Sequence, residues 1–167
     1  MRIWKRIIII FFVSSLVTGC DQGTKSLATE YLPKYESTSY LNDIIRIGYI
    51  ENTGAFLGLG SNLSNELRFL IFVFAVGAFL LSLLIYLVIS QKQNVYSLVS
   101  LSLVLGGGIS NFFDRATNNG AVVDFLNIGL GSIRTGIFNV ADMAILLGMF
   151  LFIFFRNKPY ENEQKKF

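Results

Sequence analysis

The chain contains no histidine and only one cysteine, and these shortages close several chemistries to it. Ser-His-Asp and Cys-His catalysis need an imidazole, and so do helical His-Glu-x-x-His zinc sites. A single Cys permits neither an intrachain disulfide nor a Cys-rich metal cluster. No metal and no cofactor are therefore expected, and acid–base work would fall to Asp, Glu, Lys or Tyr. Charge is scarce as well: 15% of the 167 residues are charged, against about a quarter in soluble domains. Hydrophobic residues make up 53%, with 16 Phe lying mostly in long apolar runs, which points to lipid as the solvent. The net charge of +3 does not suggest nucleic acid, because the basic residues sit at the ends of apolar segments.

Four stretches are long and apolar enough to consider as spans, at about 7–25, 67–90, 95–113 and 138–155. The fold class expected is an all-α membrane protein with four transmembrane helices, one domain over residues 1–167. Arg2, Lys5, Arg6, Lys92, Arg156, Lys158, Lys165 and Lys166 pack densely into short segments on one side. Lys25, Lys34, Arg46, Arg68, Arg115 and Arg134 are spread over longer loops on the other. By density the first side is cytoplasmic, which puts both termini and the 156–167 tail inside. The outer loops, 26–66 and 114–137, contain DIIRIGYIENTGAFLGLG and AVVDFLNIGLGSIRTGI, rich in β-branched residues and punctuated by Gly. That composition predicts a small extracytoplasmic β-rich element on the membrane surface.

A carboxylate at membrane depth is costly and calls for a reason. Asp142 lies at the outer end of the fourth span, with Asn139 three residues earlier on the same helical face. Asp124 lies between apolar neighbours just beyond the third span. Asp114 and Arg115 end that span, one turn after Asn111, and Asp21 and Lys25 end the first. Each has an ordinary reading: an i,i+4 pair for Asp21 and Lys25, interfacial charge for Asp114 and Arg115, a turn for Asn52. Asn139 could cap a helix with Asp142 in its first turn. Together they converge on one membrane boundary. If Asp124 and Asp142 share a site, desolvation and repulsion push their proton affinities apart. One can then take a proton from water while the other donates to an amide, without His or metal.

In sequence the blocks read DQGTK (21–25), ENTGAF (51–56), GGGISNFFDR (106–115), VVDF (122–125) and FNVAD (138–142). In this order, on a four-span hydropathy profile, the chain resembles the lipoprotein signal peptidase (signal peptidase II) family over nearly its whole length. The resemblance implies a bacterial inner-membrane aspartic endopeptidase with its site near the periplasmic face and Asp124 and Asp142 as catalytic dyad. It implies that Asp21, Lys25, Asn52, Gly54, Asn111, Arg115 and Asn139 hold substrate or support the dyad, and that Asp114 orients its neighbours. The implied partners are membrane lipid and a prolipoprotein cut just before a diacylglyceryl-modified Cys, with globomycin-type cyclic peptides as inhibitors. Two positions depart from the family's usual text. Ser110 stands where Gly often precedes the Asn, and Ala55 alone precedes Phe56 where two alanines are common.

Two other readings compete. Val17-Thr18-Gly19-Cys20 after a basic, apolar N-terminus looks like a lipobox, which would make the chain a lipoprotein precursor acylated at Cys20. Three further spans, and the direct run of Cys20 into DQGTK, favour Cys20 as a small apolar residue in the first span. A small transporter or ion-pathway protein would spread polar groups through the membrane depth, whereas here they cluster at one face.

Overall fold

The computed structural model describes residues 1–55, 59–90 and 93–156. Four helices and four strands alternate in two layers. Helix α1 is Ile3–Tyr31, and α2 runs over Asn65–Ile89 with a π-helical stretch at Leu70–Ala75. Helix α3 is Val95–Thr117 and α4 is Val140–Phe155. At about 1.5 Å per residue, α1 is roughly 44 Å long, well beyond the ~30 Å hydrocarbon core. Its outer turns therefore stand clear of the span expected at 7–25. Three helices, α1 to α3, are long and apolar enough to cross a membrane; α4, at 16 residues, is apolar but shorter. Lys92, Lys158, Lys165, Lys166, Phe56 and the tail beyond Arg156 lie outside the described residues.

The two outer loops build one antiparallel sheet in the order β1-β2-β3-β4: Ser37–Tyr40, Ile45–Asn52, Val122–Leu130 and Ile133–Arg134. The loop after α1 supplies β1 and β2, and the loop after α3 supplies β3 and β4, so β2–β3 pairing ties the loops together. That pairing shifts register between Ile47 and Ile50, which sets Asp124 opposite Ile50 and Val122 opposite Asn52. Tyr49, Val123 and Phe125 pack on Ala28 of α1 and on Leu32, its C-cap, so this end of α1 is the post that carries the sheet.

Helix α3 is the centre of the bundle, and most of its length is buried, whereas α2 is mostly exposed along its apolar sides. Lipid gives little hydrophobic incentive for helices to associate, so close backbone approach at small residues must supply the packing. Three consecutive glycines do this in three directions, because successive residues project about 100° apart around a helix. A Cβ on Gly106 would come within 2.8 Å of Ser14 Cα in α1. One on Gly107 would meet the Ala141 carbonyl oxygen of α4 at 2.5 Å, and one on Gly108 would meet Leu80 of α2 at 2.5 Å. Gly148 completes the α3–α4 seam, where a Cβ would meet the Ser100 oxygen at 2.5 Å.

Arg6 departs from the sequence reading. Its charge reads as a solvated topology signal, yet it is 1% exposed. Its guanidinium donates to the Leu87 carbonyl near the end of α2, at 3.1 and 2.5 Å, and to Gln93 Oε1 at 2.9 Å. The unsatisfied carbonyls of a helix end are what a cation stabilises, so Arg6 ties α1 to the α2–α3 turn.

The glycine seam gives a stability test. Ala in place of helical Gly gains about 1 kcal/mol of propensity, whereas forcing a methyl against a rigid backbone costs about 1–3 kcal/mol. Gly107→Ala should therefore lower the melting temperature in detergent. Gly19→Ala, with nothing within 4 Å of its Cβ, should hold or raise it. Equal melting temperatures for the two variants would contradict the three-way packing of α3.

Candidate active site

The site is assembled from the start of α4 outward. Phe138 is held in the sheet by backbone bonds to Leu126, and Asn139 follows as the N-cap of α4. Asn139 Oδ1 accepts from the Asp142 N–H at 2.9 Å, and Asp142 Oδ2 accepts from the Asn139 N–H at 3.2 Å. This reciprocal pair is a capping box, here with Asp at N3. The ordinary reading of these two residues is therefore correct and also incomplete, because the same side chains continue into a larger network.

Asn139 is fully buried, and its amide turns away from the cap toward β3. Nδ2 donates to Asp124 Oδ1 at 2.6 Å and lies 3.2 Å from Asn111 Oδ1. One residue thus hydrogen-bonds both acids, its backbone to Asp142 and its amide to Asp124. Asp124 is 2% exposed, and its other oxygen accepts from Asn52 Nδ2 at 2.9 Å. Burial raises the Asp124 carboxyl to about 6, reinforced by the nearby Asp142 charge and opposed by the N–H donors of Asn52 and Asn139. Asn52 is itself fixed, since its Oδ1 accepts from the Gly54 N–H at 2.9 Å. The Gly54 carbonyl accepts from Arg115 Nη2 at 2.7 Å, and the Arg115 guanidinium lies 5.2 Å from the Phe72 ring in the π-helical stretch. Among the described residues Arg115 makes no ion pair with an acid and its Nε has no hydrogen-bond partner; it anchors the turn beside Asp124 instead.

Below the two acids lies a buried cation. Lys25, 3% exposed, places Nζ 2.6 Å from Asp21 Oδ2, 2.8 Å from Asp114 Oδ2 and 2.9 Å from Asn111 Oδ1. Asn111 Nδ2 then donates to Asp142 Oδ1 at 2.8 Å. Asp21 is fully buried and caps α4 from outside, accepting the Ala141 N–H at 2.8 Å. Asp114 accepts from the Val123 N–H at 3.3 Å, next to Asp124. Asp21 and Lys25 do form the i,i+4 pair, but inside the protein. Asp114, at 7% exposed, is not interfacial charge.

All ten residues singled out in the sequence thus meet in one network: Asp21, Lys25, Asn52, Gly54, Asn111, Asp114, Arg115, Asp124, Asn139 and Asp142. Two polar members were missed. Gln22 Nε2 donates to Asp114 Oδ1 at 2.7 Å and to Ser110 Oγ at 2.9 Å, and Ser110 donates to Asp21 Oδ2 at 2.7 Å. A signal existed, because Ser110 lies one helical turn before Asp114 and so shares its face. Cys20, the acylation site of the lipoprotein-precursor reading, is an exposed free thiol within α1, which continues to Tyr31.

Comparison with known proteins finds relatives over most of the chain. The lipoprotein signal peptidase of Brevibacillus brevis (strain 47) is 37% identical over 139 residues, covering 83% of this chain and 88% of its own. That of Chlorobium phaeobacteroides (strain BS1) is 33% identical, covering 90% and 96%. A bacterial membrane enzyme solved in meso at 2.3 Å superposes with a TM-score of 0.73 at 28% identity, over 98% of this chain and 93% of that one. A second, at 1.9 Å, gives 0.69 at 27% identity over 90% of each. A family model described as signal peptidase (SPase) II matches residues 13–156, and with these relatives it places the chain in the signal peptidase II family.

Proposed function

We propose that this signal peptidase II uses Asp124 and Asp142 as its catalytic pair, cutting a prolipoprotein just before a diacylglyceryl-modified Cys. The observation that carries the assignment is that Asn139, fixed at the start of α4, hydrogen-bonds both carboxylates at once. Asp142 is the base in this reading. It lies in the first turn of α4, whose N–H groups favour an anion, and it receives Asn111, which Lys25 polarises. Asp124 is the acid. Its carboxyl already stands at about 6, and a bound peptide that shields it further from water raises proton retention.

Water between the two carboxyls gives a proton to Asp142 as its oxygen bonds to the scissile carbonyl carbon, and Asp124 protonates the carbonyl oxygen. Collapse of the tetrahedral species breaks the C–N bond. The proton on Asp142 passes to the leaving amine of the lipidated Cys, and the hydroxyl proton returns to Asp124. Asn52 and Asn139 hold Asp124 in place, while Arg115 and Gly54 shape the turn beside it. Asp21, Lys25 and Asp114 set the positions of α4 and β3.

The same proposal places α4 across the membrane as a fourth span, both termini in the cytoplasm and the sheet at the periplasmic face of a bacterial inner membrane. Dense basic flanks and the location of the polar network at one end of the bundle support it. Membrane lipid then surrounds the exposed apolar sides, and globomycin-type cyclic peptides would compete for the site.

Asp124→Asn and Asp142→Asn should each lower cleavage of a lipidated prolipoprotein by at least about 10³-fold while the protein still inserts and stays monodisperse in detergent. Normal turnover by either purified variant would remove the dyad. A reporter fused to the C-terminus should be active only in the cytoplasm; periplasmic activity would overturn the four-span topology.

Linkage supplies a pH test. The Asp124 carboxyl binds its proton more tightly when folded (about 6) than when unfolded (3.8). Its contribution to stability is thus complete below about pH 4 and is lost as pH rises through 6. At about 1.4 kcal/mol per pH unit, the loss is at most about 3 kcal/mol. Asp124→Asn does not titrate, so its melting temperature minus that of wild type should rise between pH 4 and pH 7. A flat difference would mean that Asp124 is not desolvated.

A further inference from the structure

Ser110 lies inside the polar network, and its surroundings give it work. It is fully buried in α3, with Oγ hydrogen-bonded to two side chains of α1. It donates to Asp21 Oδ2 at 2.7 Å and accepts from Gln22 Nε2 at 2.9 Å. Oδ2 of Asp21 is also the oxygen bound by Lys25, at 2.6 Å, while Oδ1 accepts the Ala141 N–H at 2.8 Å. Ala141 is the residue before Asp142.

The geometry points to Ser110 as a positioning residue for Asp142, acting through Asp21. The inference rests on the reading of Asp142 as the base. Without Ser110, the Asp21 carboxylate would be held by one donor on each oxygen, Lys25 on Oδ2 and the Ala141 N–H on Oδ1. A second donor on Oδ2, delivered from a different helix, fixes the plane and keeps Oδ1 aimed at the Ala141 N–H. That bond pins the first turn of α4, and with it the Asp142 carboxylate. The hydroxyl also gives Gln22 an acceptor besides Asp114, so the two acids that flank Lys25 are bridged. Asp21 is wholly buried, so no bulk water stands ready to replace the lost donor. Without the hydroxyl, Asp21 can follow Lys25, and the first turn of α4 loses its external cap.

Ser102 provides the contrast. It is also fully buried in α3, but among the described residues its hydroxyl donates to its own helix alone, to the Leu98 carbonyl at 2.7 Å. Ser110→Ala and Ser102→Ala therefore delete the same group from one helix, and only the first touches the carboxylate network.

The test measures kcat and KM on a diacylglyceryl-modified prolipoprotein for wild type, Ser110→Ala, Ser102→Ala and Asp142→Asn, each normalised to folded monomer. Ser110→Gly replaces Ser110→Ala if the latter does not accumulate. The expected result is a kcat lowered about tenfold for the Ser110 variant, the size of one buried bond to a charged group, with KM within about twofold. Ser102→Ala should leave both constants within about twofold of wild type. A kcat within about twofold of wild type for the Ser110 variant would overturn the proposal. So would an equal fall in Ser102→Ala, which would mark generic packing, or a rise in KM alone, which would mark substrate contact. Turnover by Asp142→Asn would sink the dyad reading itself. An inert Asp142→Asn beside a fully active Ser110 variant would sink this inference alone.

Discussion

A lysine ammonium held out of water at the outer edge of the bundle is the constraint on which the rest depends. Burying such an ion is compensated only by close counter-charges with good geometry. Lys25 meets that condition with Asp21 on its own helix and Asp114 on α3. Each of those acids also holds the backbone of another element, Asp21 the Ala141 N–H of α4 and Asp114 the Val123 N–H of β3. Lys25's other bond goes to Asn111, which donates to Asp142. One desolvated cation therefore fixes the relative positions of α1, α3, α4 and β3, the elements that carry both proposed catalytic acids. Removing any partner would leave an uncompensated charge, so the network has little freedom to drift.

Backbone proximity is the second requirement, since hydrogen bonds of 2.7–2.9 Å between helices demand that their axes lie close. Gly106 and Gly107 lie one turn inward of Ser110 and Asn111 on α3, and they let α1 and α4 approach at that level. A methyl at Gly107 would push against the carbonyl of Ala141, whose N–H Asp21 accepts. Packing and electrostatics thus act on the same turn of α4, and neither alone would hold it.

Much of this was legible in the sequence, and the limits follow from physics. Long apolar runs announce spans because lipid tolerates little else, and polar residues that interrupt them announce a site because they are costly there. Composition also forecast strands in both outer loops. It could not show that β2 of one loop pairs with β3 of the other, because that partnership is set between residues some 70 positions apart. Nor could it separate α1's embedded turns from those that carry the sheet, because one helix with one periodicity serves both. Arg6 misled for a related reason: a flanking cation and a helix-end clamp have the same spacing. Ser110 drew notice only as a departure from the family's usual text, and Gln22 none, because a hydroxyl or an amide costs far less in lipid than a charge and stands out less against the apolar background.

The clearest case is Asn139 with Asp142, where sequence offered a helix cap and a reaction site as rivals. Both hold, through different atoms of the same residues. The Asn139 carbonyl oxygen and the Asp142 carboxylate close the capping box, and the Asn139 amide is left to reach Asp124. Four carboxylates gather here, Asp21, Asp114, Asp124 and Asp142, against two cations, Lys25 and Arg115. Lys25 lies between Asp21 and Asp114, and Arg115 bonds a carbonyl rather than an acid. Asp124 and Asp142 are thus left with amide and backbone donors and no cation of their own. On the proposed assignment that shortfall is functional: without a private counter-ion, the buried Asp124 beside the half-buried Asp142 holds its proton more tightly than an ordinary carboxyl. A bound peptide that shields Asp124 further from water then completes the protonation that the chemistry needs. A third cation within bonding distance would stabilise the fold and abolish the reason to hold the proton.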